Sequence, residues 1–118
     1  MTRGYLTTHV LDTARGCPAP GIEIALYRLG EPRGLCAQMA TNADGRTDRP
    51  VLERGRLKVG SYEFIFSCGA YLSSNGLISA AGPFLGDIPI RFEVSDADAH
   101  YHVPLLLSPY GYTTYRGS

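Results

Sequence analysis

The sequence lacks an excess of charge of either sign. Its 118 residues carry 11 Lys and Arg against 11 Asp and Glu, which gives a formal net charge of zero at pH 7. A duplex nucleic-acid binder or a polybasic membrane anchor needs surplus positive charge, so this balance argues against both. No apolar run approaches the roughly 20 residues of a membrane-spanning helix. The N-terminus shows no basic-then-apolar signal sequence, and we therefore expect a cytoplasmic protein that binds neither nucleic acid nor membrane.

Cysteine is scarce as well. The three cysteines, Cys17, Cys36 and Cys68, are an odd number, are widely spaced and form no CxxC pair. This argues against a disulfide framework and against a four-thiolate zinc site. Cys68 continues an alternating apolar pattern, which predicts that it is buried. Cys17 would be reactive only if the fold placed it beside a basic partner.

Internal repeats, low-complexity stretches and linkers are absent too, so we expect one domain over residues 1–118. A hydrophobic content of 44% and a charged content of 19% are ordinary for a globular protein. A chain of this size buries about two-thirds of its surface in folding. That is enough for one core, but it leaves little room for a deep active-site cleft of the chain's own.

Short runs of alternating apolar residues, separated by scattered Gly and Pro, predict an all-β sandwich or barrel, and the strand count favours the sandwich. The predicted strands cover residues 5–12, 22–27, 35–41, 47–52, 61–68, 88–95, 101–108 and 112–116. A short helix is predicted at 70–75, and turns are predicted at 15–21 and 42–45. Pro104 removes a ladder donor, so it predicts either an edge strand or an unpaired position within the strand.

Two histidines fall on the face of the predicted strands that points away from the core. His9 alternates with Val10, and His102 alternates with Val103. Large apolar side chains share that outer face, Leu11 on the first strand and Leu106 on the second. Since a solvated face does not favour this mixture, we infer that another subunit covers the surface.

The same histidines allow a metal hypothesis, which the pattern leaves incomplete. His100 and His102 are two apart on a strand, so both could chelate zinc, with His9 as a third ligand. No Cys or carboxylate spacing completes such a site, and we expect no metal. Nucleophilic catalysis has equally little support, because the sequence contains no G-x-S-x-G motif.

Arg46 stands apart from the other basic residues of the segment 46–58. It follows the Asp44-Gly45 turn, where a side chain at the start of a strand can be aimed at a site. A planar guanidinium suits bidentate contact with a carbonyl, a carboxylate or a ring oxyanion. The neighbouring basic residues alternate with acidic ones, which is typical of a solvated face.

Four segments then combine into a specific pattern. They are His9–Asp12 with Gly16–Ala19, Thr41–Arg46, His100–Pro109 and Tyr115–Ser118. Together they resemble the transthyretin-related 5-hydroxyisourate hydrolases over residues 5–118. The related hormone carrier transthyretin lacks the histidines and the Tyr-Arg-Gly-Ser end, so the resemblance favours the enzyme.

The resemblance implies a transthyretin-like sandwich of two four-stranded sheets, assembled as a homotetramer (a dimer of dimers) with active sites at the dimer–dimer interface. It implies hydrolysis of 5-hydroxyisourate to a ureidoimidazoline in urate breakdown, with no cofactor. The residues that match the family's catalytic set are His9, Arg46, His102 and Ser118, and those that match its substrate-binding set are His9, Arg46, Tyr115, Arg116, Gly117 and Ser118. One histidine of the set would activate water, and the motif does not decide which.

Two other hypotheses stay open at this point. A transthyretin-like protein could carry a small aromatic ligand in the same channel without catalysis. A plain sandwich could also serve as an interaction module. His100 lies inside a matching segment but outside the set that the resemblance transfers, so we expect it to have a packing role.

Overall fold

Two four-stranded sheets enclose a common hydrophobic core in the computed structural model, which describes residues 2–76 and 80–118. The first sheet has the order β2-β1-β7-β8 and consists of β1 (Tyr5–Asp12), β2 (Cys17–Pro18), β7 (His100–Ser108) and β8 (Gly111–Thr114). The second has the order β4-β3-β5-β6 and consists of β3 (Glu23–Arg28), β4 (Gly34–Ala40), β5 (Gly60–Ser67) and β6 (Asp87–Val94). One helix, α1 (Cys68–Ser74), follows β5. The predicted sandwich with one short helix is confirmed.

The core follows from the alternation along the strands. Leu6 and Val10 on β1 and Leu105 on β7 are fully buried, and so are Phe64 and Phe66 on β5. Each such side chain contributes about 1.5–3 kcal/mol when it leaves water. The opposite parity on β1 and β7 is therefore the outer face of the first sheet, as the sequence predicted.

Cys68 is buried, as predicted, although it begins the helix instead of ending the strand. Burial raises the pKa of its thiol to about 12, so the group is an inert core side chain at neutral pH. No helix among the described residues is long and apolar enough to cross a membrane.

The parallel pairing of β1 with β7 is the feature that builds the site. Its register sets Tyr5 opposite His100 and Thr7 opposite His102. Directly paired residues point to the same face of a sheet, and residues two apart on one strand share that face. The outer-face side chains of two segments about 95 residues apart in the chain thus form one continuous surface.

The predicted strand at 47–52 is wrong. The segment makes only two isolated bridges with β1, from Arg46 to His9 and from Leu52 to Leu6. The two bridges are out of register, because residues 47–51 lie opposite only residues 7–8 of β1, so no continuous ladder forms. Pro50, which lies between the bridges, also has no N–H to donate. The segment instead covers the edge of β1 that the two-residue β2 leaves free.

Smaller corrections concern the ends of the strands and one proline. β7 is an interior strand, so an edge position for Pro104 is wrong. Pairing with β8 begins at Leu105 and Thr114, so Pro104 lies one position beyond that ladder. The predicted turn at 15–21 contains the short strand β2, and β8 ends at Thr114, before the predicted 116. Beyond β8 the chain continues along β7 in the same antiparallel register and makes one isolated bridge, from Gly117 to His102.

Candidate active site

A tight turn before Arg46 places its backbone against β1. The side-chain Oδ1 of Asn42 accepts hydrogen bonds from the N–H groups of Asp44 (2.9 Å) and Arg46 (3.3 Å). Gly45 has a φ of +73°, and a Cβ atom there would lie 2.4 Å from the carbonyl oxygen of Val10. Only glycine satisfies both constraints, because it has no Cβ and adopts positive φ readily. The turn thus fixes the position of Arg46 beside β1.

His9 lies across the bridge from Arg46, and its ring is tied to the same turn. Its Nε2–H donates to the carbonyl oxygen of Asp44 at 3.0 Å. A carbonyl can only accept, so Nε2 carries the proton and the neutral ring has an unprotonated Nδ1. Burial and the Arg46 charge lower the pKa of His9, and the bond to Asp44 only partly opposes them. His9 is therefore neutral at pH 7.

His102 is anchored through its Nδ1. This atom lies 2.8 Å from Oγ1 of Thr7, the residue opposite it on β1. Burial is the largest cause of a lowered pKa for His102, followed by the charge of Arg46. The ring is therefore neutral at pH 7. Its Nε2 makes no hydrogen bond within the described part of the chain, and the residue lines a cleft.

His100 shares the same threonine. Oγ1 of Thr7 also lies 2.6 Å from Nε2 of His100, so one hydroxyl joins two imidazoles. The ring of His100 stacks on Tyr5 with centroids 4.1 Å apart and planes 5° apart. Burial lowers the pKa of His100 first, and the charges of Arg54 and Arg116 lower it further.

From the sequence alone, Thr7 has no expected role in the site, and only a packing role is expected for His100. The expected packing role of His100 is visible in its stack on Tyr5, but the residue also lines the cleft. Strand parity alone puts Thr7 on the outer face with His9, and that signal was available. The parallel register, which brings Thr7 to His102, was not.

The last residues of the sequence continue along β7 beyond the end of β8. The N–H of Gly117 donates to the carbonyl oxygen of His102 at 2.8 Å. A Cβ atom at Gly117 would lie 2.5 Å from Cδ2 of the His102 ring, so the backbone packs directly on that ring. Ser118 follows and lines the cleft. The guanidinium of Arg116 instead lies 4.1 Å above the ring of Tyr101.

These elements surround an open cleft of about 440 Å³ on the outer face of the first sheet. Arg46, His100, His102 and Ser118 line it together with Tyr5 and Thr7. His9 lies at its border, where Arg46 lowers its pKa and where its own charge would lower that of His102. Tyr115 and Arg116 line a separate, apolar groove beside Tyr101. Of the seven predicted site residues, the structure thus places Arg46, His102 and Ser118 on the cleft, His9 at its border and Gly117 against the His102 ring. It places Tyr115 and Arg116 elsewhere.

The cleft combines groups that can take up a proton with a group that can stabilise a negatively charged oxygen. Two imidazoles are held neutral, and a guanidinium faces the same space. A neutral imidazole can take up a proton, and a fixed guanidinium stabilises an oxyanion. Within residues 2–76 and 80–118, no three His, Cys, Asp or Glu side chains are arranged to hold a metal ion.

A family model described as "HIUase/Transthyretin family" matches residues 6–117. The chain belongs to this family. One relative, named 5-hydroxyisourate hydrolase 2 of Rhizobium meliloti, is 55% identical over 98% of this chain and 97% of its own length. Another, the 5-hydroxyisourate hydrolase of Mesorhizobium japonicum, is 54% identical over 98% of this chain and 93% of its own length.

Solved structures agree with this membership of the HIUase/Transthyretin family. The Klebsiella pneumoniae 5-hydroxyisourate hydrolase superposes with a TM-score of 0.81 at 32% identity and covers the whole of both chains. (S)-allantoin synthase gives a TM-score of 0.93 at 49% identity over 99% of this chain. This chain spans only 44% of that longer one. Sea bream transthyretin, solved with thyroxine, gives 0.84 at 25% identity over 95% of this chain and 93% of its own.

Proposed function

We propose that this chain hydrolyses 5-hydroxyisourate to the ureidoimidazoline product of urate breakdown. The observation that carries the proposal is the convergence of His102, Arg46 and Ser118 on one cleft, with His9 at its border. They come from four separate parts of the chain, and the chain is 55% identical to a protein named for this activity. No cofactor is part of the proposal.

Arg46 holds the substrate and stabilises the charge that develops during attack. Its backbone is held by the Asn42 turn and by the bridge to His9, which keeps the side chain at the cleft. A donor positioned at the developing charge contributes about 10²–10³-fold to the rate in acyl-transfer sites. Burial is the larger cause of the lowered pKa of both neighbouring imidazoles, and the Arg46 charge lowers it further.

His102 is the general base in this proposal. Its Nδ1 is bound to Thr7, whereas its Nε2 has no partner among the described residues and the ring lines the cleft. Nε2 takes a proton from water, the hydroxide oxygen bonds to the ring carbonyl carbon, and the carbonyl oxygen becomes negative beside Arg46. The C–N bond of the lactam then breaks, and the leaving nitrogen takes the proton back from Nε2. Such proton transfer is typically worth about 10²–10⁴-fold.

The outer face also supports an assembled enzyme. The cleft is open to one side, and Leu11 and Leu106 are half-buried on the same face of the sheet. We propose a homotetramer, a dimer of dimers, in which a second copy covers this face and completes the site around Ser118 and the substrate. The proposed location is the cytoplasm. A mass from analytical sedimentation tests the assembly, and a monomer at working concentration would contradict it.

The absorbance decay of freshly generated 5-hydroxyisourate tests the activity. We expect the wild type to accelerate the decay and His9→Ala, Arg46→Ala and His102→Ala each to remove at least about 10²-fold of kcat/KM. Arg56→Ala is the matched control, because this arginine of the same basic segment lies outside the cleft lining. A transthyretin-like carrier or a plain interaction module would leave the spontaneous decay rate unchanged, and that result would overturn the proposal.

A further inference from the structure

The hydroxyl of Thr7 carries a single hydrogen and lies between two ring nitrogens. It is 2.8 Å from Nδ1 of His102 and 2.6 Å from Nε2 of His100. The oxygen can donate to only one of them and must accept from the other. When both rings are neutral, one of these two nitrogens therefore carries a proton and the other does not. The tautomers of the two histidines are coupled through Thr7.

We infer that Thr7 and His100 are positioning residues that hold His102 in the tautomer with a proton on Nδ1 and none on Nε2. In this arrangement Nδ1–H of His102 donates to Thr7, and the Thr7 hydroxyl donates to Nε2 of His100. The inference deepens the proposed function, on which it rests, because it explains how His102 presents an unprotonated Nε2 to water.

The direction of the hydrogen bonds follows from what His102 must do. After proton uptake both of its nitrogens carry hydrogen, so Nδ1 must donate to Thr7 and Thr7 must donate onward to His100. The same two hydrogen bonds serve the ring before and after the transfer. In the opposite arrangement Nε2 of His102 would already be protonated, and the threonine hydroxyl would have to rotate before the base could act.

His100 accepts this hydrogen bond only while it is neutral. A protonated His100 would donate from Nε2 to Thr7 and would turn the threonine hydroxyl towards Nδ1 of His102. The guanidinium of Arg54 lies 4.4 Å from the ring of Tyr5, and Tyr5 stacks on His100. A guanidinium nitrogen of Arg116 donates to the carbonyl oxygen of His100 at 3.4 Å. The two arginines therefore disfavour the charged form of His100.

The backbone holds these groups in place. Tyr5 is paired with His100, and Thr7 with His102, in the same parallel ladder. The stacked Tyr5 ring at 4.1 Å fixes the plane of His100, so its Nε2 faces the hydroxyl. The roles of both residues are exerted through His102, and neither needs to touch the substrate.

Two readouts on the intact protein test the inference. Two-bond ¹H–¹⁵N spectra of the histidine rings, recorded at a pH where His102 is neutral, report which nitrogen carries the proton. We expect Nδ1–H for His102 in the wild type and a shift towards Nε2–H in Thr7→Val. Steady-state kinetics should show kcat reduced by about 10- to 100-fold in Thr7→Val, by analogy with the removal of the outer hydrogen-bond partner of a metal-bound histidine. KM should stay within about two-fold, because binding is not altered.

Conservative variants separate positioning from packing. Thr7→Ser keeps the hydroxyl and should keep most of kcat. His100→Gln offers an amide oxygen near the position of Nε2 and should retain more of kcat than His100→Phe, which keeps only the stack on Tyr5. Thr13→Val is the matched control, because it removes another threonine hydroxyl that bonds β7, to the carbonyl of Leu107, outside the cleft.

The outcomes distinguish this inference from the proposed function. An Nε2–H tautomer of His102 in the wild type, or an unchanged kcat in Thr7→Val, would overturn the positioning roles even if the enzyme is active. A wild type without hydrolase activity would overturn the proposed function, while the spectra would still decide the tautomer. Should Thr7→Val fail to fold, the Thr7→Ser spectrum and the contrast between His100→Gln and His100→Phe decide the question.

Discussion

Gly117 packs against the ring of His102 so closely that a Cβ atom would lie 2.5 Å from its Cδ2. The same residue donates its N–H to the carbonyl oxygen of His102. The His102 ring and the C-terminal residues therefore hold each other in place. This keeps Nε2, the atom bonded to Cδ2, at the cleft. Glycine is needed here for space alone, since no positive φ is recorded at this position.

We expect Gly117→Ala to reduce kcat/KM by about 10-fold or more. Either the backbone at residue 117 or the His102 ring must move to make room for the added methyl group, and a small misplacement at a reacting centre is costly. The free energy of unfolding should change by less than about 1 kcal/mol, since the segment contributes little to the core. Gly111→Ala is the control, as its nearest contact is the Ser108 hydroxyl at an ordinary 3.7 Å. Equal activity of the two variants would contradict the packing argument.

Gly45 offers a second test, on the turn that positions Arg46. Gly45 and Gly16 share a left-handed backbone, with φ of +73° and +69°. A Cβ at Gly45 would meet the Val10 carbonyl at 2.4 Å, whereas one at Gly16 meets nothing within 4 Å. In both alanine variants, backbone strain should lower the free energy of unfolding by about 1–2 kcal/mol. Gly45→Ala should lose a further 1–3 kcal/mol, roughly, to overpacking.

Urea unfolding of the two variants measures this difference in the free energy of unfolding. We also expect Gly45→Ala to have a lower kcat/KM than the wild type, and Gly16→Ala to keep the wild-type value. The loss arises because the Asn42 turn is displaced and Arg46 moves away from His9. If both variants lost the same free energy and kept the same activity, the turn would have no special role in the site.

The sandwich and the outward histidines could be predicted because both follow from local patterns. Alternation with period two assigns Val10 to the core and His9 to the other face, whichever strand lies next to them. The same alternation does not identify which strand pairs with β1. The pairing of Thr7 with His102 depends on a parallel register between strands about 95 residues apart, and periodicity carries no information on it.

The wrong strand at 47–52 and the unforeseen placement of the Arg116 side chain both depend on long-range contacts. The segment 47–52 looked like a strand because its composition allows one, but its state is decided by the edge of β1 and by Pro50, which cannot donate to a ladder. Arg116 belongs to the Tyr-Arg-Gly-Ser end, yet its guanidinium lies over the ring of Tyr101. Ser118 lines the cleft, and Arg116 does not. A linear motif does not say to which side each side chain turns.

The buried carboxylate of Asp12 provides a prediction about stability alone. Its Oδ2 accepts a hydrogen bond from the Tyr71 hydroxyl at 2.7 Å, and its Oδ1 accepts one from the N–H of Arg15 at 3.0 Å. Burial raises the pKa of Tyr71 to about 12, so the hydroxyl remains a donor at working pH. We expect Tyr71→Phe to cost about 1–3 kcal/mol, the range for leaving a buried polar group unsatisfied.

Thermal and urea unfolding of Tyr71→Phe measure that cost, with Tyr27→Phe as a matched variant. Tyr27 lies on the outer face of the second sheet, where its ring contacts the Arg33 guanidinium. Activity of Tyr71→Phe at a temperature where it is folded should equal that of the wild type, because Asp12 lies at the opposite end of β1 from Tyr5. A variant as stable as the wild type would show that the Asp12 carboxylate does not need the Tyr71 hydroxyl as a hydrogen-bond donor.

The dependence of activity on pH follows from the lowered pKa of His102. Its base form is present above that pKa, so kcat/KM should rise with pH through a midpoint below the ordinary value of 6.5 and level off above it. The pKa of His102 is lowered first by burial and then by the Arg46 charge.

Arg46→Gln removes that charge and should raise the pKa of His102. NMR titration of the ring measures this pKa directly, which is needed because the variant is expected to be a slow enzyme. Arg56→Gln, which changes a charge outside the cleft, should leave the titration where it is. A midpoint above 6.5, or an equal titration in the two variants, would show that Arg46 does not keep His102 neutral.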